Sequence, residues 1–337
     1  MLYSPLLMKA GKLPSDLLAR LLRRLPEDPR VLLGPGIGRD AAAIDLGGGR
    51  VLVAKADPIT FATDQIGRYV VHVNANDVAC LGARPTFFLA TVLLPENAAA
   101  ELAEEIFEQI RETCDALGIV PVGGHIEITL GLERPLIAGA MLGEATRDAL
   151  IRPDAIRPGD HIILTKGIAI EGTAVIAREH ENELISDFDE PTLRCCRNFI
   201  FQPGLSVLKD ARAAMEAGAV HAMHDPTEGG LATALHELAW AGGVGLTLDA
   251  RSLPVFPETQ ALCNHYHLDP MGLIASGALL IVAPAADAEK IMAHLGSESI
   301  PATVIGAVTD RSRGIKMLTA DGLCDLPLFE QDELTKI

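Results

Sequence analysis

The 337-residue chain carries 28 Lys and Arg against 45 Asp and Glu, a formal charge of −17, and 49% of it is apolar. That apolar fraction can build a large core and excludes a disordered chain, while the length suggests two domains. The acidic balance excludes the basic face that a polyanion needs, so no nucleic-acid partner is expected; an acidic protein that binds ATP must recruit a cation.

In chain order, a first helix is expected from Pro14 or Ser15, with Leu17, Leu18, Leu21 and Leu22 on one face, after a lead-in of a dozen residues. A glycine-rich connection then runs into a short alternating strand within VLLGPGIGRDAAAIDLGGG. Val51–Ala56 is predicted as a buried strand leading into Asp57. Arg68–Leu81 is a helix, Thr86–Leu94 a strand, and Ala98–Leu117 a long amphipathic helix closed by Gly118. Strands follow at Ile119–Val122 and Leu136–Leu142. The segment RPDAIRPGDH (152–161) is rich in Pro, Gly and charge, which places a domain boundary between 1–152 and 153–337.

Beyond the boundary the pattern restarts. Strands are expected at HIILTKG, Val220–Met223, Gly245–Leu248, Ala278–Val282 and Thr303–Val308. Helices are expected near Thr173–Glu179, Leu205–Ala217, Gly230–Ala241, Glu258–His265 and Ala286–Leu295, and the acidic run 179–190 as a solvated loop. No membrane span is expected, because the longest uncharged stretch, Pro270 to Ala286, is marginal in length and broken by Gly and Pro. The six cysteines are scattered without a CxxC, and no basic leader precedes a long apolar run. Both point to reduced thiols in the cytoplasm.

There is no GxxxxGK[ST], GxSxG or HExxH, and GPGIG (34–38) lacks the spacing of a dinucleotide fingerprint. Four aspartates stand out: Asp40, Asp57, Asp77 and Asp225, each at the end of an apolar strand or beside a glycine turn. Carboxylates gathered around a triphosphate can hold Mg²⁺, which prefers hard oxygen donors. Any one of them can equally be a cap or turn residue. Gly123–Gly124 and Gly229–Gly230 are turns that could admit a phosphate to the backbone, and Lys166 is a candidate phosphate ligand or a plain solvated charge. Cys263, His265 and His267 lack the further partners a zinc site needs, and Cys195–Cys196 suggest packing.

The ordered set GxGRDAA, AxAD, VNANDVACLGARP, VGGHxExT and DPTEGGLATAL resembles the ATP-binding superfamily of aminoimidazole-ribonucleotide (AIR) synthase. Its members include thiamine-monophosphate kinase, selenophosphate synthetase and the hydrogenase-maturation protein HypE. The likeness spans about Gly11 to Asp310, with DPTEGGLATALHELA and NDVACLGARP most similar to HypE. It implies a PurM-like α+β fold of two domains: an N-terminal sheet that pairs with its twin into a dimeric β-barrel, and a C-terminal α/β sandwich. By the same resemblance Asp40, Asp57, Asp77 and Asp225 are metal and phosphate positions. Asn76, Gly123, Gly124, Thr227, Gly229 and Gly230 match its nucleotide-contacting turns. From their placement Glu127 and Lys166 are further nucleotide-binding candidates, and Asp77 and His125 are the catalytic candidates, His125 being as readily a nucleotide-contacting donor or a packed histidine. ATP and Mg²⁺ are the implied cofactors.

Three departures bear on function. HypE carries its substrate on a cysteine in a short PRIC-like tail, whereas this sequence closes on FEQDELTKI with Cys324 well inside, so HypE's dehydration chemistry is not expected unless Cys324 reaches the site. The family's GGD or GGE is GGHIE here, where Glu127 could restore the carboxylate on the face that His125 occupies. HypE's DPTRGG is DPTEGG, so Glu228 reverses a charge. A selenophosphate synthetase lacks support, because the first cysteine is Cys80. The expectation is an ATP-dependent enzyme that phosphorylates or dehydrates an amide-type small-molecule or protein-borne acceptor. The alternatives are a non-catalytic ATP-binding accessory in metalloenzyme maturation, with a maturation-protein partner, and thiamine-monophosphate kinase.

Overall fold

The computed structural model describes residues 10–337, so most of the expected lead-in lies outside the described residues. The first helix is α1 (Ser15–Leu22), which follows Pro14 and buries no side chain. Six strands make the first sheet: β1 (Val31–Leu33), β2 (Ala42–Gly47), β3 (Arg50–Ile59), β4 (Arg84–Pro95), β5 (Val120–Thr129) and β6 (Leu136–Thr146). Their spatial order is β1-β2-β3-β6-β4-β5. All pairs are antiparallel except β4 with β5, which a helical crossover joins in parallel.

Two helices belong to this half. α2 (Ile66–Cys80) is buried along almost its whole length, as a helix between two layers must be. It lies close on β6 because Gly139 and Gly143 leave room: a Cβ on Gly143 would sit 2.3 Å from Val78, and one on Gly139 2.5 Å from Asn74. The crossover α3 (Ala100–Leu117) buries Ile106, Ile110 and Cys114 and ends on Gly118 at φ +67.

The second sheet has seven strands: β7 (His161–Thr165), β8 (Ala222–His224), β9 (Gly245–Asp249), β10 (Leu280–Ala283), β11 (Ala302–Thr309), β12 (Ile315–Thr319) and β13 (Gly322–Asp325). Their order is β13-β12-β9-β11-β7-β10-β8. Its helices are α4 (Ile170–Glu179), α5 (Glu181–Leu184), α6 (Glu190–Arg197), α7 (Leu208–Ala217), α8 (Gly230–Gly242), α9 (Pro257–Tyr266) and α10 (Ala285–Ser297). Strand alternation splits β7 and β10 between two cores. Ile163 and Ile281 join α4, α7, α10 and the first sheet in one cluster, while Ile162, Leu164, Leu280 and Val282 pack against α8 in another. Helices therefore cover both faces, which gives the α+β architecture expected.

Several local expectations are corrected. Asp57 lies inside β3, which runs on to Ile59, not after it. Gly123–Gly124–His125 are no turn: they sit in the middle of β5 at φ +150 and +147 for the two glycines. A Cβ on Gly124 would lie 1.9 Å from the Ala90 carbonyl oxygen, so only glycine lets β5 pair there. The 179–190 run is partly helical and tied down, since Arg197 pairs with both Glu181 and Glu190. β1, α6, β12 and β13 were not foreseen. No helix among the described residues is long and apolar enough to cross a membrane.

Candidate functional site

The four aspartates, drawn from four separate stretches, converge. Asp40 ends the glycine-rich loop before β2, where Gly38 (φ +68) has no Cβ to strike the Glu237 backbone on α8. Asp57 comes from β3, Asp77 from α2, and Asp225 follows β8. Asp40, Asp77 and Asp225 are buried, at 8%, 3% and 1% exposure. Asp57 is the open member, with 35% of its side chain exposed.

Two internal cations sit among them, and neither was foreseen. Lys55, two residues before Asp57 and on the same face of β3, places its ammonium 3.0 Å from Asp57 and 3.3 Å from Asp77. Burial lowers its pKa, but the charges of Asp77, Asp57 and Asp40 outweigh that and raise it, so it stays charged. His224 places Nδ1 2.5 Å from Asp40 and Nε2 3.2 Å from Glu237, and Lys12 pairs with Glu237 at 3.1 Å. Burial opposes the charge on His224, yet the two carboxylates push its pKa up to about 10. The signals were a lysine in an otherwise apolar strand and a histidine beside Asp225; each alone suggests an ordinary strand residue.

The remaining acids are strained by burial. Asp225 is pushed up to about 7, by burial first and then by Asp40, against His224 and Lys55. Burial also holds Asp77 well above the usual carboxylate range. Asp77 Oδ2 has Lys55 as its partner, whereas Asp225 Oδ2 is buried with neither a hydrogen bond nor an ion pair. An orphaned hard oxygen of this kind suits a divalent cation such as Mg²⁺. Lys55 presently holds part of that place.

Other expected site residues serve elsewhere. Both ends of the buried Asn76 amide are bound to backbone: Nδ2 donates to Leu205 O and Oδ1 accepts from Val207 N. Asn76 thus pins the second half of the chain to α2. Its neighbour Asn74 does the analogous work for the site, clamping the Asp57 backbone through Asp57 N and O at 2.8 and 3.1 Å. Lys166 is no solvated charge either. Its ammonium donates to Ser206 O and Gly277 O and pairs with buried Asp210 at 3.3 Å.

Gly123, Gly124, His125 and Glu127 are not brought to the cluster within one chain. Asp57, Gly139, Ala90 and Gly124 share one rung of the sheet, so three strand spacings, about 14 Å, separate β3 from β5. His125 and Glu127 do share a face, 3.0 Å apart and exposed. Cys324 is farther still. It lies on β13, at the opposite edge of the second sheet from the strand that leads to Asp225. Six spacings, about 29 Å, lie between them.

Around Gly229 and Gly230, both at positive φ, α8 begins. Gly229 N donates to Asp332 Oδ2 at 2.7 Å, so the C-terminal segment already caps this helix. Beside Asp57 lies a water-sized cavity of about 20 Å³, bordered by Thr227, Glu228, Glu171 and Ser276. Glu171 is buried with Oε2 unpartnered, and burial pushes its pKa up to about 8. Cys263 is buried in the core and His265 packs edge-on against Phe188 and Tyr266. Among the described residues the one metal-competent His/Cys/Asp/Glu group is Asp40, Cys80 and Asp225.

Two mixed sheets meeting at a buried carboxylate cluster define a PurM-like α+β protein. Residues 38–145 match the N-terminal domain of the AIR synthase related protein family, and residues 157–318 match its C-terminal domain. The chain belongs to that family, and within it is HypE-like. It is 27% identical over 333 residues to a putative hydrogenase expression/formation protein of Methanocaldococcus jannaschii, covering 94% of this chain and 95% of that relative. It is 29% identical over 301 residues to the carbamoyl dehydratase HypE of Rhizobium leguminosarum bv. viciae, covering 85% and 81%. The hydrogenase maturation protein HypE solved in complex with ATP superposes with a TM-score of 0.71 at 25% identity, over 97% of this chain and 98% of that one.

Proposed function

We propose that this chain is an ATP-dependent enzyme of the HypE-like group that phosphorylates or dehydrates an amide-type or related acceptor during metalloenzyme maturation. The observation that carries the reading is the convergence of Asp40, Asp57, Asp77 and Asp225 on one site, with Asp225 Oδ2 left without a partner. These carboxylates would hold Mg²⁺, which would supply charge neutralisation for a bound triphosphate. Asp57, held by Asn74 and the most open of the four, would be among the ligands of the cation. Lys55 keeps a positive charge beside Asp57 and Asp77. His224 fixes Asp40 in orientation. The protein's share is positioning and charge compensation, which dominate phosphoryl transfer.

Cys324 stands too far from the site to deliver an acceptor. A protein-borne acceptor brought by a maturation partner fits that distance, as does a small molecule. A homodimer through β5 and the cytoplasm are part of the same reading. The test is turnover of ATP with Mg²⁺ and candidate amide acceptors. Release of ADP or AMP that is lost in Asp57→Asn and Asp225→Asn supports the reading. Binding of ATP without any turnover would leave a non-catalytic accessory protein.

A further inference from the structure

Cys80 is the residue near the cluster that the preceding chemistry does not use. It is fully buried, three residues after Asp77 and on the same face of α2. Its Sγ lies 3.6 Å from Asp225 Oδ1. Donor atoms of Asp40, Cys80 and Asp225 all fall within 4.8 Å of one another. A thiolate at about 2.3 Å and a carboxylate oxygen at about 2.0 Å from a tetrahedral ion stand about 3.5 Å apart, which is the separation found. Asp225 is 1% exposed, and its other oxygen, Oδ2, has no partner. The surroundings are those of ligands already oriented. His224 bonds Asp40, Glu237 holds His224, and Lys12 holds Glu237, as outer partners hold ligands in metal sites.

We propose that Asp40, Cys80 and Asp225 form a cation site with a thiolate ligand, which takes a borderline divalent ion such as Zn²⁺ in preference to Mg²⁺. Hard Mg²⁺ gains nothing from sulfur, whereas Zn²⁺ and Co²⁺ bind thiolate well. On binding, the Cys80 S–H bond breaks, the sulfur lone pair goes to the metal, and the proton is released to solvent. Three protein donors leave a fourth position for water or a substrate atom, the pattern of an open zinc site. The inference rests on the cluster being a cation site and does not need ATP.

The experiment uses the full chain carrying Cys195→Ser and Cys324→Ser, which removes the two exposed thiols, and titrates it with Co²⁺ without nucleotide. The expected result is one equivalent bound, with a thiolate-to-cobalt charge-transfer band in the near ultraviolet and proton release. Adding Cys80→Ser abolishes the band and weakens Zn²⁺ at least about tenfold. X-ray absorption of the Zn²⁺-loaded parent requires no substitution at Cys80, and one sulfur at about 2.3 Å is expected there. Oxygen and nitrogen neighbours alone, or cobalt bound without the band, overturn the proposal. Binding of Mg²⁺ and ATP by the same parent is measured separately. Its loss with the band intact refutes the ATP reading and leaves the thiolate site standing.

Discussion

Lys55 and His224 supply, inside the protein, the positive charge that the buried aspartates need. Replacing Lys55 by Met keeps the length of the side chain and leaves Asp57 and Asp77 facing each other without a counter-charge. Breaking a buried pair in this way costs about 3–5 kcal/mol. The expected outcome is a matching fall in the urea midpoint, partly reversed by Mg²⁺; an unchanged midpoint would show that Lys55 is not the counter-ion. Glu171 gives a pH signature. Burial raises it from the ordinary 4.5 to about 8. Between those values the folded state holds a proton that the unfolded state has lost, so its contribution is complete below 4.5 and falls away as pH rises through 8. Glu171→Gln removes that loss. Its melting temperature relative to the parent is expected to rise between about pH 5 and pH 9. A constant difference across that range would place the charge elsewhere. The aspartates stand out in the sequence because each lies at the end of an apolar stretch or beside a glycine turn. Lys55 was not, because its role depends on Asp77, which comes from another element.

At the scale of elements, the C-terminal segment is a strap and not a free arm. Asp332 accepts from Gly229 N and Leu334 N, Glu333 accepts from Asp269 N, and both acids are 2% exposed. The strap holds the start of α8, next to Asp225. Asp332→Ala removes one cap shared by two elements and is expected to cost about 1–2 kcal/mol, read by thermal denaturation. A loss of stability below a few tenths of a kcal/mol would mean that water replaces the carboxylate. Long elements were legible: α3 ends on the expected Leu117, and the seven other helices expected were found within a few residues. The short strands β12 and β13 were not, since their few half-exposed residues have no period to read. Gly123–Gly124 looked like a turn because glycine pairs are usual there. In β5 the reason for Gly124 is the carbonyl of Ala90, an atom of a different strand.

For the whole molecule, β5 poses the largest demand. It lies at the edge of the first sheet, and its Val120, Val122, Ile126 and Ile128 are 50–59% exposed. A long apolar edge strand invites pairing and is not left bare in a stable protein. In the proposed homodimer a second copy of the chain would cover it. Ile126→Glu is therefore expected to shift a dimer to monomer by light scattering; a wild-type monomer at micromolar concentration would rule out the barrel. The family and the α+β class could be read from the order of short motifs, because each motif is a local pairing of glycine or carboxylate with an apolar strand or helix. The sequence by itself determined those motifs, the core-facing periodicity and the acidic balance. Only the tertiary structure decided which acids share an interior, that Lys55 and His224 neutralise them, that Asn76 and Lys166 serve packing, and that Cys80 stands beside Asp225. Those facts depend on contacts between residues distant in the chain, and a buried charge is decided by its neighbours in space.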